Sequence, residues 1–160
     1  MSDFCVFIPV KPFVKQWLLT HYAGEPIAFP SQSLENAVIK RFTMKLPKGK
    51  VPELQKEGEV AIKIPESKAK PASTYYYLGT LGKEAVEEVI EDNFKLCLWN
   101  EIWTLYKSYE NQGISKHLNA IIRAWMEQHG ISIRYEETIK QRFYRIREAY
   151  RKKGIDLIRK

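Results

Sequence analysis

The segment GKEAVEEVIEDNFKLCLWNEIWTLYKSYENQG, residues 82 to 113, sets Ala85, Val86, Val89, Ile90, Phe94, Cys97, Leu98, Ile102, Leu105 and Tyr109 mostly three or four positions apart. That spacing gathers apolar groups on one side of a helix, so it predicts a long helix ended by Gly113, with Asn93 as the point where a break is expected if there is one. Downstream, Ser115 is placed to cap a second helix that carries Leu118, Ile121, Ile122, Trp125 and Met126 and stops at His129 and Gly130. Ser132 then caps a third helix reaching Lys153, just before Gly154.

Upstream the pattern is mixed. FCVFIPV, residues 4 to 10, reads as a strand, and a short helix from Pro12 carries Phe13, Trp17 and Leu18, with Gly24 past its end and Trp17 anchoring a small core. SLENAVIKRF, residues 33 to 42, keeps a helical face through Phe42, KLPKGKVPELQKEG, 45 to 58, is a loop, and EVAIKIP, 59 to 65, is a strand with Val60, Ile62 and Ile64 on one face. ESKAKPAS, residues 66 to 73, lacks large apolar groups and reads as a linker or mobile basic loop, followed by Tyr75, Tyr76 and Tyr77. Two strands make a poor sheet, so a further one is expected from residues 42 to 53 or 73 to 79. The expectation is an α+β chain: a small mixed α/β region over residues 1 to 72, then a helical domain over 73 to 160 with three helices in helix-turn-helix order.

Composition narrows the function classes. A chain of 160 residues that is 44% hydrophobic and 12% aromatic can bury a core and is not a disordered polymer. No run approaches the roughly 18 to 20 apolar residues of a membrane span, and the start is too short in apolar residues for a signal peptide, so a cytoplasmic protein without membrane partners is expected. Two cysteines, Cys5 and Cys97, make neither a disulfide scaffold nor a four-thiolate zinc site, and both are expected as small buried hydrophobes.

Charge is unevenly placed. Lys and Arg against Asp and Glu number 11 and 7 over residues 1 to 81, 3 and 7 over 82 to 113, and 12 and 5 over 114 to 160, which is +4, −4 and +7. A basic end beside an acidic segment suits an anionic polymer. On the third helix Ile139, Phe143, Ile146 and Tyr150 recur at offsets of four, seven and eleven, an apolar stripe. Lys140, Tyr144, Arg147 and Arg151 repeat those offsets one residue on, and Arg142, Arg145 and Lys152 flank the stripe from the other side. Guanidinium groups match phosphate oxygens and the guanine edge, so these seven are the candidate nucleic-acid-binding residues. The competing reading is a solvated helix with Glu136 and Lys140, or Glu148 and Lys152, paired at i, i+4.

The tail ETIKQRFYRIREAYRKKG, residues 137 to 154, resembles the last helix of helix-turn-helix or Myb-like DNA-binding domains, and the chain as a whole is similar to small proteins of bacterial prophages and mobile elements. The resemblance spans at most residues 82 to 154 and implies that Lys140, Tyr144, Arg147 and Arg151 touch DNA. The expected partner is double-stranded DNA, bound by an accessory or regulatory protein. The alternatives are a protein-interaction or homo-oligomerising module and, third, an RNA binder stacking bases on Tyr75 to Tyr77. Enzymatic chemistry is not expected. His21, His117 and His129 lack a metal-type spacing and read as helix-end or surface residues, no phosphate-cradling glycine loop is present in the sequence, and neither a cofactor nor a metal is anticipated.

Overall fold

In the first unit the alternation of FCVFIPV and EVAIKIP becomes a two-stranded antiparallel sheet. Strand β1 (Cys5–Pro9) pairs with β3 (Glu59–Lys63), Val6 opposite Ile62 and Ile8 opposite Val60, and all four side chains are buried. The structure is a computed structural model that describes residues 4 to 113 and 117 to 153. Ile27 adds one parallel bridge to Ile62 on the free edge of β3, donating to the Ala61 carbonyl and accepting from the Lys63 amide at 2.8 Å each. The Glu25 carboxylate continues that edge by accepting the Ala61 amide at 2.8 Å. Unpaired strand edges leave backbone donors unsatisfied, and here a side chain takes the place of a third strand.

Helix α1 (Pro12–His21) starts on Pro12 and buries Phe13, Val14, Trp17 and Leu18. Helix α2 (Leu34–Phe42) is capped by Ser33, whose hydroxyl accepts the Asn36 amide at 3.2 Å. The additional strands come from both expected stretches, because β2 (Thr43–Met44) pairs antiparallel with β4 (Tyr77–Leu78) as a second, separate ribbon. Residues 66 to 73 form no regular element, yet they are fastened. The Lys70 ammonium donates to the carbonyls of Lys40, Arg41 and Thr43 at 2.8, 3.2 and 2.9 Å, a remote cap on the end of α2 where helix carbonyls lack partners. Ala72 is buried, and its amide donates to Glu66. The segment expected as a linker or mobile basic loop is a connection tied by these bonds.

Helix α3 (Thr80–Asn111) runs through Asn93 without interruption, because Ile90 and Phe94 on either side are both buried and keep the helical spacing. The chain forms two compact units, Met1–Asp92 and Asn93–Lys160, so α3 contributes its first part to one and its second part to the other. Residues 73 to 92 belong to the first compact unit. The second unit comprises the end of α3, helix α4 (Leu118–Gln128), a short 3-10 turn (Ile133–Tyr135) and helix α5 (Glu136–Lys152). The expected cap Ser115 lies outside the described residues. The architecture is α+β, strands and helices first and then helices alone. No described helix is long and apolar enough to cross a membrane.

Gly82 in the first turn of α3 marks a close approach. A Cβ there would lie 2.6 Å from Leu78 Cδ1 and 3.0 Å from Phe42 Cβ. Leu78 can rotate, but Phe42 Cβ is held by the backbone of α2. Gly82→Ala is therefore expected to lose about 1 to 3 kcal/mol through overpacking, against a helix-propensity gain of at most about 1 kcal/mol. Chemical denaturation of the variant checks this, and a net gain in stability would refute the close approach.

Candidate nucleic-acid interface

The turn before the basic helix is built by Gly130. Its φ of +70° suits a residue without Cβ, and it sits where α4 ends. The Ile131 amide donates to the Met126 carbonyl at 2.9 Å and the Gly130 amide to the Glu127 carbonyl at 3.2 Å, the paired bonds of a Schellman termination. Ile131 is buried, as that motif favours. Ser132 then accepts the Arg134 amide at 3.3 Å and starts the 3-10 turn that leads into α5. The third helix thus begins in two steps, a tight turn and then α5 from Glu136.

One face of α5 is locked. Ile139 and Phe143 are fully buried and Ile146 and Tyr150 are half-buried, the stripe read from the sequence. Phe143 stacks on Trp99 with centroids 5.1 Å apart, Tyr150 meets Trp99 edge-on at 5.0 Å, and Trp103 stacks on Trp99 at 5.0 Å. An aromatic stack of this kind adds orientation to the burial it provides. It fixes which side of α5 faces water.

The seven candidate residues separate along the helix. Lys140, near the start, is mostly covered and pairs with Glu136 at 3.2 Å and Glu137 at 3.3 Å; hydrogen bonding to Glu136 and then Glu137 holds its ammonium above the ordinary lysine value. Glu136 is also bound by Arg123 of α4 at 2.8 Å, and that hydrogen bond holds its carboxyl below the usual range. The Arg142 guanidinium is half-buried over the Phe94 ring at 6.0 Å. Towards the end of the helix the pattern changes. Tyr144, Arg145, Arg151 and Lys152 are exposed, Arg147 lies over the Tyr144 ring at 5.0 Å, and Arg151 reaches Glu148 at a loose 3.6 Å. The Tyr144 hydroxyl points to Asn119 Oδ1 at 3.5 Å, the limit of a hydrogen bond. So four of the seven are exposed along one stretch with the half-buried Arg147 among them, while Lys140 and Arg142 are engaged within the unit. The expected pairing of Glu136 with Lys140 is present.

The tyrosine run offers little free ring surface. Tyr75 lies under Lys45 and Lys70 at 5.7 and 6.0 Å, Tyr76 stacks on Phe4 at 6.0 Å, and Tyr77 is part of β4. The sequence reading missed a second constellation. Cys97 and Glu101 of α3 and His129 at the end of α4 bring their ligand atoms within 4.8 Å of one another. Glu101 Oε1 accepts the Trp125 indole N–H at 2.8 Å and lies 2.8 Å from His129 Nε2. Burial pushes the Glu101 carboxyl up, but hydrogen bonds from His129 and Trp125, the His129 charge and the Cys97 thiol together hold it below the ordinary glutamate value. The one readable signal was the i, i+4 spacing of Cys97 and Glu101, since His129 arrives from 28 residues away.

Gly130→Ala tests the turn. A left-handed conformation costs a residue with a Cβ about 1 to 2 kcal/mol, and the variant should lose that much stability in a denaturant titration. An unchanged midpoint would show that the turn accepts another conformation.

Comparison with protein-family models, with curated proteins and with solved structures finds no match for this chain.

Proposed function

We propose that this chain binds the phosphate backbone of double-stranded DNA through the C-terminal half of α5, as an accessory or regulatory protein of the cytoplasm. The observation that carries the reading is the exposed run of Tyr144, Arg145, Arg151 and Lys152, with the half-buried Arg147 over the Tyr144 ring among them, opposite a helix face locked by Phe143 on Trp99. A rigid helix with guanidinium groups on its open side loses little freedom on meeting phosphates, and arginine forks match their oxygens. The order α4, turn, α5 is that of a helix-turn-helix, in which the start of the last helix meets base edges. Here α5 opens on Glu136 and Glu137, carboxylates that repel phosphates and already hold Lys140. The reading is therefore of backbone contact by the end of the helix, with weak sequence preference, and not of base readout by its start.

Four cations, Arg145, Arg147, Arg151 and Lys152, set the expected salt dependence. Counterion release gives a log-log slope of roughly −3 to −4 for that number of phosphates. Fluorescence anisotropy of labelled duplex, single-stranded DNA and RNA at two salt concentrations measures it. Replacing Arg145, Arg147 and Arg151 by Ala is expected to abolish duplex binding with the helical circular-dichroism signal retained, while Lys140→Ala changes affinity by less than about threefold. Equal losses from both variants would refute the assignment to the end of the helix. Tighter binding of RNA would move the reading to the RNA alternative, and no binding of any of the three would leave an interaction module.

A further inference from the structure

We infer that Cys97, Glu101 and His129 form a binding site for a borderline-soft divalent transition metal, with Zn2+ the best match. The three are of different ligand types, a thiol, a carboxylate and an imidazole, and their ligand atoms lie within 4.8 Å of one another. A thiolate disfavours Mg2+ and Ca2+, and a mixed sulfur, nitrogen and oxygen set suits a tetrahedral ion. With metal bonds of about 2.0 to 2.3 Å, tetrahedral ligand atoms stand about 3.3 to 3.6 Å apart. The present cluster brackets that range: His129 Nε2 and Glu101 Oε1 stand at 2.8 Å, and the remaining separations extend no further than 4.8 Å.

The scaffold already resembles a metal centre's surroundings. Cys97 and Glu101 lie one turn apart on α3, so one helix supplies two ligands at a fixed spacing. His129 is buried, and its ring is held against Trp125 with centroids 4.7 Å apart. The Trp125 indole N–H donates to Glu101 Oε1, the role of an outer-shell donor that orients a ligating carboxylate. The Glu101 side chain is about half-exposed, which gives an ion access from solvent and leaves a fourth position for water. Binding would displace the Cys97 thiol proton and break the hydrogen bond between Glu101 and His129, so it should release protons and strengthen as pH rises. None of this depends on nucleic acid, so the metal site and the DNA interface stand or fall separately.

Titration of the full chain with Co2+ and with Zn2+ under a non-thiol reductant tests the site. Wild type is expected to bind one Co2+ with a thiolate-to-cobalt charge-transfer band in the near ultraviolet and intense visible bands of a tetrahedral ion, and Zn2+ is expected to displace it and raise the thermal midpoint. Cys97→Ser keeps the size and fold of the position. It should lose the charge-transfer band and weaken Zn2+ binding by more than the roughly 10- to 100-fold that loss of an outer-shell partner costs. His129→Gln should weaken binding likewise, and Cys5→Ser should leave it unchanged. No cobalt band in wild type, or a band that survives Cys97→Ser, would overturn the inference.

Discussion

A buried indole with a polar N–H sets the arrangement of the second unit. Trp125 is fully buried, so its N–H must be given an acceptor or cost the free energy of a lost hydrogen bond. Glu101 supplies that acceptor from the neighbouring helix, and the same oxygen receives His129. One carboxylate therefore fixes the rotation of α4 against α3. With Phe94 edge-on to Trp125 and Trp99 stacked on Phe143, the three helices meet through aromatic rings. Rings of this size have few ways to fit, which defines the open face of α5 more tightly than an aliphatic core would.

The charge on α5 is arranged along the helix and not only around it. Glu136 and Glu137 stand in the first turn, Arg151 and Lys152 in the last, which favours the helix dipole whatever else the residues do. The acidic start is consumed internally: Arg123 and Lys140 both bind Glu136, tying α4 to α5 and closing the turn that Gly130 opens. Dipole complementation accounts for the two ends but leaves the exposed Arg145 and the half-buried Arg147 between them unexplained. Their position among exposed residues is what favours an external anionic partner.

In the first unit, side chains complete what two short ribbons leave undone. Glu25 and Ile27 satisfy the open edge of β3, and Lys70 holds the carbonyl end of α2. Each link spans tens of residues in sequence. The connection over residues 66 to 73 looks featureless as a composition because its order comes from one ammonium group and one buried alanine, neither of which leaves a periodic trace.

Periodicity determined much of this protein by itself. The strands Cys5–Pro9 and Glu59–Lys63, the helices Pro12–His21, Leu34–Phe42 and Thr80–Asn111, the stop at Gly130 and the apolar stripe Ile139, Phe143, Ile146 and Tyr150 follow from local spacing and from residues whose backbone preferences act over one turn. Tertiary structure decided how far each charge is covered. Lys140 and Arg151 occupy equivalent places in the sequence pattern and both pair with glutamates of their own helix, yet Lys140 is mostly covered and shares Glu136 with Arg123, a partner that only the packing of α4 on α5 delivers. The same holds for Cys97, Glu101 and His129. Their side chains meet only when α4 packs on α3, and no local pattern encodes the contact of Glu101 with His129 across a separation of 28 residues.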